Sequence, residues 1–303
     1  MQEQRPSTTA LVTARMRWIH TATDPKPVLD DAWGGKFSPA SDLVSLGYTG
    51  ESVSTQESIS EESIDHVLRA SPAYANVIVR SWYTESELHS AITEGVGQYV
   101  LIGAGFDSYA CRRPAEAKNL EVYEIDHPAT QGLKKKRLAD NGVPGDNRLH
   151  FVSADLGQET LESALARSSF NSNEPAFLSW LGVTMYLSRE ANMATLESIA
   201  RYCAAGSRLV FSYVDQSIFE GKPEGDTEEV LALKHSVKSV GEPFISGFHP
   251  DMLEGELSDI GLELVEDIDD LQVIERCDPD DSNRLRSSSI SRIARVRVTG
   301  ANR

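Results

Sequence analysis

The sequence predicts an α/β fold in which a mostly parallel sheet with helices on both faces follows a helical cap. After about residue 97, short apolar runs alternate with segments of helical length, an order typical of a parallel sheet covered by helices. Before that point the patterns are mainly helical. We therefore divide the chain into an N-terminal helical cap of residues 1–96 and a sheet domain of residues 97–303.

The cap is predicted to begin with a helix from about Thr8 to His20. A loop rich in Pro, Asp and Gly follows, "TDPKPVLDDAWGGKFSPASD", and after it a polar run rich in Ser and Glu, "GESVSTQESISEESID". Helical patterns resume from about Ile64 to Thr93. We expect these helices to close over a ligand bound by the sheet domain.

The sheet domain contains five predicted strands in succession, "QYVLIGA", "LEVYEID", "LHFVSAD", "PAFLSWLGV" and "SRLVFSYV". A helix, "HPDMLEGELSDIG", and a final pair of strands, "LELVEDI" and "SRIARVRV", follow. The last strand is interpreted as an edge strand whose basic residues discourage pairing with another chain. That interpretation favours a monomer.

A long polar interval, at about residues 215–247, interrupts this pattern and contains "DQSIFEGKPEGDTEEV". In an open α/β sheet, an insertion at the carboxyl end of a strand tends to lie over the ligand crevice. The interval is therefore either a substrate lid or a surface loop without a function of its own.

Composition narrows the function classes. The chain has 303 residues, of which 40% are hydrophobic and 25% charged, as in a soluble enzyme with a substantial core. The net charge of −17 disfavours nucleic acid and anionic membranes as partners, since both would be repelled. We expect a small-molecule acceptor as the partner.

The cysteines and the N-terminal residues indicate a cytoplasmic location. Cys111, Cys203 and Cys277 are scattered without the spacing of a metal site, which favours a reduced compartment and no bound metal. The first twenty residues lack the apolar core of a signal peptide, and no stretch approaches the roughly 18 apolar residues of a membrane span.

Residues at three successive strand ends predict a nucleotide-like cofactor. Gly103 and Gly105 allow the backbone to approach a group that a Cβ would exclude. Asp126 ends the second strand and can accept hydrogen bonds from ribose hydroxyls. Asp155 can accept from an exocyclic amine, and Leu156 can pack on an adenine face. The ordered set suits S-adenosylmethionine.

A nicotinamide cofactor is the alternative interpretation of the same loop. A dinucleotide fingerprint has Gly or Ala three places after Gly105, where this chain has Ser108. Each acid taken alone is also common as a solvated strand end or a helix cap. The nicotinamide interpretation is weakened by Ser108 and stays open at this point.

Five segments carry a resemblance to a known family: "VIVRSWYTESEL", "LIGAGFDSYACR", "VYEIDHPATQGLKKKRL", "VSADL" and "WLGVTMYLSREA". They resemble the class I S-adenosylmethionine-dependent methyltransferases of the leucine carboxyl methyltransferase type, which include bacterial small-molecule O-methyltransferases and many mycobacterial proteins. The resemblance extends from about Ala14 to Val214 and implies a Rossmann-like, seven-stranded fold.

The resemblance also implies roles for single residues. Arg80 would meet the carboxylate of the cofactor's methionine part, a task for which the planar guanidinium fork is suited. Gly103 and Gly105 would border the methionine moiety, and Tyr186 would lie near the transferring methyl group as the catalytic residue. By the same resemblance, Asp126 would hold the ribose, and Asp155 with Leu156 would hold the adenine.

One departure from the family pattern concerns the substrate. Many members carry a glutamate in a motif resembling "EGLLMYL", and this chain has Leu181 at that place in "WLGVTMYL". The missing carboxylate favours a small molecule over a protein C-terminal leucine. Trp180 beside it is expected to supply an aromatic wall.

The predicted reaction is O-methylation of a carboxylate or a hydroxyl, with S-adenosylhomocysteine as the product. A carboxylate acceptor needs no general base, whereas a phenol or alcohol would be helped by one. The histidines that could serve by residue type are His20, His127, His235 and His249. Two alternatives remain: an NAD-dependent oxidoreductase, and a catalytically idle protein that binds the adenosyl cofactor for regulation.

Overall fold

A seven-stranded sheet forms the centre of the computed structural model, which describes residues 6–46, 61–143, 145–220 and 244–300. The strand order is β3-β2-β1-β4-β5-β7-β6. Strands β1 to β5 are parallel, and β7 runs antiparallel to both β5 and β6. The strands are β1 Gln98–Ile102, β2 Glu121–Asp126, β3 Leu149–Ser153, β4 Phe177–Trp180, β5 Arg208–Val214, β6 Leu262–Asp269 and β7 Ser291–Val298. The predicted α/β class and the mostly parallel seven-stranded sheet are confirmed.

Helices precede the sheet and cover both of its faces. Several begin at a side chain that accepts a backbone N–H: Ser7 accepts from Ala10 at 3.1 Å, and Asp269 forms a capping box with Gln272. The helices are α1 Thr8–Thr23, α2 Trp33–Phe37, α3 Ala40–Ser45, α4 Glu61–Arg69, α5 Ala73–Thr93, α6 Tyr109–Arg112, α7 Pro128–Asp140, α8 Leu161–Ala166, α9 Arg189–Tyr202, α10 Pro250–Asp259 and α11 Asp270–Cys277.

The structure refines the predicted cap in three places. The segment predicted as a Pro/Asp/Gly-rich loop contains two short helices, α2 and α3. The continuous helical pattern predicted from residue 64 is divided into α4 and α5, because Pro72 stands at the start of α5. Most of the Ser/Glu-rich run, and residues 221–243 of the predicted lid, lie outside the described residues.

The prediction of an edge position for "SRIARVRV" is wrong. This segment is β7, which lies between β5 and β6. Its arginines form cross-strand ion pairs, with Arg292 at 2.8 Å from Asp267 and Arg297 at 2.6 Å from Glu263. At this end of the sheet the edge strand is β6, and β3 is the edge strand at the other end. The pairing of β6 with β7 shifts register between Leu264 and Glu266, an irregularity of the kind that is common at sheet edges.

Two clusters of buried apolar side chains fill the two faces of the sheet. One joins Met16 of α1 and Ile78 of α5 to Leu101 of β1. The other joins Val100 of β1 to Leu196 of α9. The helices that precede β1 share a core with the sheet and are therefore fixed against it. The division of the chain into two domains near residue 97 stays a prediction.

The topology leaves a crevice where β1 lies between β2 and β4. The chain leaves β1 toward one side of the sheet and later reaches β4 on the other, and open α/β sheets bind ligands outside the carboxyl ends of strands at such a point. α1 crosses this end of the sheet, and Gly105 lies against it with only Ala10 within 4 Å of a Cβ built there.

A substitution at Gly34 tests how tightly α2 packs against α1. A Cβ at Gly34 would lie 2.2 Å from the carbonyl oxygen of Ala14, a backbone atom of α1. We expect Gly34→Ala to lower the free energy of unfolding by about 1–3 kcal/mol, because α2 must move away from α1. Urea denaturation measures the difference.

Gly132→Ala is the matched control for this test. Gly132 lies within α7, and nothing lies within 4 Å of a Cβ placed there. We expect this change to leave stability unchanged or raise it by up to about 1 kcal/mol, because alanine favours the helix over glycine. Equal effects of the two substitutions would contradict tight packing at Gly34.

Candidate active site

A cavity of about 890 Å³ lies at the carboxyl ends of β1, β4 and β5. Its walls come from α1, α5, the loop after β1, the turn after β4, and the residues that lead into β7. Among the residues predicted for the site, the cavity brings together Arg80, Gly103, Gly105, Asp126 and Tyr186. It is large enough for a cofactor with a small second ligand, since ligand pockets range over about 300–1,000 Å³.

The glycine loop approaches the cavity with its backbone. The amides of Gly103 and Ala104 both donate to the carbonyl oxygen of Ile125, at 2.9 and 3.0 Å. Gly103 and Gly105 have φ angles of +68° and +51°, which side-chain-bearing residues adopt only at a cost. A Cβ on Gly103 would come within 2.6 Å of Val183. Position 103 therefore requires glycine, and the loop can present its backbone to the cavity. We call this backbone at Gly103 and Gly105 the cradle.

Asp126 holds this loop from the end of β2. Its carboxylate accepts the backbone N–H of Gly105 and, at 2.6 Å, that of His127. Burial raises the pKa of Asp126, and the two amide hydrogen bonds oppose that rise. A carboxylate so fixed at the cavity wall is suited to accept from the hydroxyls of a ribose.

Arg80 projects from α5 into the cavity. Its Nη1 donates to Oδ1 of Asn76 at 2.9 Å. In the described part of the chain, no carboxylate lies within the 4.0 Å of a salt bridge with this guanidinium. Burial lowers the pKa of Arg80 to about 10. A guanidinium that lines a cavity without a direct carboxylate partner is suited to bind an anionic group.

Gly182 provides the space that this guanidinium occupies. It has a φ of +67°, and a Cβ there would lie 2.6 Å from Nη2 of Arg80. The amide of Gly182 donates to Oγ of Ser212 at 2.8 Å, which ties the turn to β5. The glycine after β4 thus lets the cation of α5 lie against the backbone.

Asp155 and Leu156 lie apart from this group. They follow β3, beside the end of β2, and are not among the residues that line the cavity. The Asp155 carboxylate accepts from the amide of Gly157 at 2.9 Å and from the side-chain amide of Gln158 at 2.8 Å. Their assignment to adenine stays a prediction.

Tyr186 stands on the other side of the cavity, in a short 3₁₀ turn, Thr184–Tyr186. Its ring packs on Phe244 with centroids 5.6 Å apart. Asn192 secures this region, since its side-chain amide donates to the Thr184 carbonyl at 2.9 Å and to Ser246 Oγ at 3.2 Å. The turn after β4 and the segment after residue 243 are therefore held together.

Leu181 and Trp180 differ in position. Leu181 lines the cavity, so an apolar side chain stands where the resemblance places an acid. Trp180 has no exposed surface and packs on Phe211 in the core, with centroids 6.4 Å apart. The expectation that Trp180 forms a wall of the site is wrong, because its side chain points to the opposite face of β4.

The described histidines lie elsewhere. His127 and His249 precede the first residues of α7 and α10, and neither lines the cavity. His20 is fully buried, with Nδ1 2.5 Å from Oδ2 of Asp24 and with Nε2 accepting the amide of Val28 at 2.8 Å. Both its nitrogens serve the structure. His235 lies outside the described residues.

Two sets of polar residues at the cavity were not predicted by the sequence analysis. Arg17 lines it, and its guanidinium donates to Asp31 and to the carbonyl oxygen of Phe106, each at 2.7 Å. This clamp ties α1 to the glycine loop. Asn76 also lines it and contacts the buried Asp270. No local pattern could have found either set, because the partners are distant in sequence.

Comparison with known proteins identifies relatives of the whole chain. The family model described as leucine carboxyl methyltransferase matches residues 10–200. A Bacillus subtilis protein, provisionally named S-adenosyl-L-methionine-dependent methyltransferase YktD, is 30% identical over 296 residues, which are 94% of this chain and 92% of the relative.

Solved structures share the fold at low sequence identity. A duf574 family protein from Streptomyces avermitilis has a TM-score of 0.54 and 15% identity, over 94% of this chain and 96% of its own. A provisionally assigned methyltransferase from Thermobifida fusca has a TM-score of 0.54 and 12% identity, over 97% and 96%. At these identities the likeness concerns the fold.

Two features are absent from residues 6–46, 61–143, 145–220 and 244–300. No helix there is both long and apolar enough to cross a membrane. No group of three or more His, Cys, Asp or Glu residues there is arranged to hold a metal ion.

His20 predicts acid sensitivity of the fold. Burial and the nearby Arg69 lower its pKa from 6.5 to about 4. Between these values the unfolded chain binds more protons, so the free energy of unfolding falls as the pH falls. From pH 7 to pH 5 we expect His20 to account for a loss of about 2 kcal/mol, measured by urea denaturation.

His20→Gln should show a smaller loss over the same interval, since glutamine does not titrate. His66→Gln, at an exposed position in α4, is the control and should behave as the unsubstituted protein does. The same loss in His20→Gln as in the unsubstituted protein would assign the acid sensitivity to other groups.

Proposed function

Because this chain belongs to the leucine carboxyl methyltransferase family and is an S-adenosylmethionine-dependent methyltransferase, we propose that it methylates an oxygen of a small molecule, with a carboxylate as the acceptor. The observation that supports the acceptor class is that no histidine, the commonest general base, is among the described residues lining the cavity. A carboxylate is already an anion at neutral pH and needs no base.

The residues of the cavity fit the cofactor. When bound, S-adenosylmethionine supplies a methyl group activated by its sulfonium, which leaves the protein mainly to hold and desolvate the acceptor oxygen. In this proposal Arg80 binds the cofactor carboxylate, and the cradle at Gly103 and Gly105 borders its methionine part. Asp126 accepts from the ribose hydroxyls, and Asp155 with Leu156, which follow β3 outside the cavity, contacts the adenine.

Three titratable side chains that line the cavity already have hydrogen-bond partners. The Asp107 carboxylate accepts the amide of Tyr109 at 2.8 Å, and that of Asp126 accepts two backbone amides. The hydroxyl of Tyr213 donates to Asp267 at 2.9 Å, away from the cavity. No histidine is among the described lining residues. Deprotonation of an alcohol or phenol would therefore have to proceed without a described histidine at the cavity.

Tyr186 is proposed to contact the acceptor. It lines the cavity and lies near Arg80, and its ring is fixed by Phe244. Leu181 contributes an apolar surface beside it. The nicotinamide alternative loses its support, because the family match and the full-length relative are both methyltransferases.

A carboxylate acceptor predicts a rate without strong pH dependence. We expect methyl transfer to the best substrate of a panel of carboxylic acids, phenols, alcohols and amines to vary less than about threefold in kcat between pH 6.5 and 9, since no proton must be removed. Release of S-adenosylhomocysteine, measured by mass spectrometry, gives the rate.

Tyr186→Phe is the companion variant. If Tyr186 only positions the acceptor, the pH profile of the variant stays flat and its KM rises. Transfer to phenols or alcohols with a rate that climbs with pH, and a climb that Tyr186→Phe abolishes, would make Tyr186 the base and contradict the carboxylate proposal. Transfer to amines alone would contradict O-methylation.

The role of Arg80 is tested by comparing two ligands. S-adenosylhomocysteine carries the amino-acid carboxylate, and 5′-methylthioadenosine lacks it. We expect Arg80→Met to lower the affinity for S-adenosylhomocysteine by about 10–100-fold, because a charge-assisted hydrogen bond is worth about 1.5–3 kcal/mol. The affinity for 5′-methylthioadenosine should stay within about twofold. Calorimetry measures both.

Arg201→Met is the control for the loss of one positive charge. Arg201 lies in α9, pairs with Glu162 at 2.6 Å and does not line the cavity. This variant should bind both ligands as the unsubstituted protein does. If Arg80→Met lowers the affinity for both ligands equally, Arg80 supports the fold of the site and does not bind the carboxylate.

A further inference from the structure

A buried carboxylate lies behind Arg80. Asp270 has no exposed surface and is the first residue of α11. Its Oδ2 accepts the side-chain amide of Asn76 at 2.9 Å and the hydroxyl of Ser287 at 2.6 Å. Asn76 and Ser287 both line the cavity. The carboxylate is thus separated from the cavity by two polar side chains that it holds.

The chemistry of the three groups fixes the orientation of Asn76. A carboxylate only accepts hydrogen bonds and a guanidinium only donates them. The amide of Asn76 therefore must turn its nitrogen to Asp270 and its oxygen to Arg80, as observed at 2.9 Å for each contact. The reverse orientation would oppose two acceptors on one side and two donors on the other.

We propose that Asp270 is a positioning residue which, through Asn76, holds the Arg80 guanidinium toward the cofactor carboxylate. The inference rests on the proposed role of Arg80. Asp270 also fixes Ser287, so one carboxylate orders the cofactor-binding arginine and part of the wall before β7.

Asn76 orients the Arg80 guanidinium and keeps it out of direct contact with the Asp270 carboxylate. Asp270 is not among the groups within 4.0 Å of Arg80, whereas Arg17 forms a direct ion pair with Asp31 at 2.7 Å. A direct pair would occupy the N–H groups that a ligand carboxylate needs. A neutral amide between the charges leaves the outer edge of the guanidinium available.

Keeping this carboxylate buried is costly. Burial raises the pKa of Asp270 to about 7, while the hydrogen bonds from Ser287 and Asn76 and the charge of Arg80 oppose the rise. Replacing buried charged groups by well-packed apolar side chains is often neutral or stabilising. Its place behind a cavity-lining arginine therefore supports a role in the site.

Asp270→Asn tests the proposal with the same two ligands. The variant keeps the shape of the side chain and removes its charge and one acceptor. We expect the affinity for S-adenosylhomocysteine to fall by about 3–10-fold, the range for one hydrogen bond, and that for 5′-methylthioadenosine to change by less than twofold. Calorimetry on the full chain measures both dissociation constants.

Asn76→Ala provides a second, independent variant, because it removes the amide between Asp270 and Arg80 and leaves Asp270 in place. It should show the same selective loss, and it carries the comparison alone if Asp270→Asn does not fold. Asp278→Asn is the matched control. Asp278 follows α11 at its other end, is 5% exposed and accepts from Asn283 at 3.0 Å, so both affinities should be unchanged.

The outcomes separate two kinds of failure. Unchanged binding of S-adenosylhomocysteine by both variants, or an equal loss of both ligands, would overturn the positioning role of Asp270. If the unsubstituted protein binds S-adenosylhomocysteine no more tightly than 5′-methylthioadenosine, the carboxylate contact of Arg80 is itself wrong and the present inference falls with it.

Discussion

The hydrogen bond from the Gly105 amide to the Asp126 carboxylate is the interaction on which the arrangement of the site depends. It joins the ends of β1 and β2 and holds the intervening loop in the left-handed conformation at both glycines. α1 then rests on that loop through Ala10, and Arg17 reaches the carbonyl oxygen of Phe106. A shift of the loop would therefore move the floor and the cover of the cavity together.

Charge is distributed around the cavity with a clear division of tasks. Arg17 is paired with Asp31 and Arg286 with Asp281, so both guanidiniums serve to fix segments of chain. Arg80 differs from these two, since its side-chain partner among the described residues is the amide of Asn76. In a low-dielectric cavity, a cation without a direct carboxylate partner interacts strongly with an incoming anion. Structural ion pairs thus secure the walls, and Arg80 is the cation that we propose binds the cofactor.

The sequence predicted the sheet, and three of the residues that it placed at strand ends line the cavity, whereas Asp155 and Leu156 do not. Those features depend on local patterns: apolar runs for strands, and Gly103, Gly105 and Asp126 at their carboxyl ends. The place of β7 within the sheet could not be predicted, since strand order is decided by pairing between distant segments. Asn76 and Asp270 are separated by 194 residues, so their contact exists only in the folded chain.

Gly182 and Arg80 share one volume, since a Cβ at 182 would occupy the space of the guanidinium. A side chain at 182 would have to adopt an unfavourable backbone and displace the arginine, whereas loss of the arginine would relieve the steric clash and leave the backbone cost. We therefore expect the effects of substitutions at the two positions to be non-additive, although they lie about a hundred residues apart.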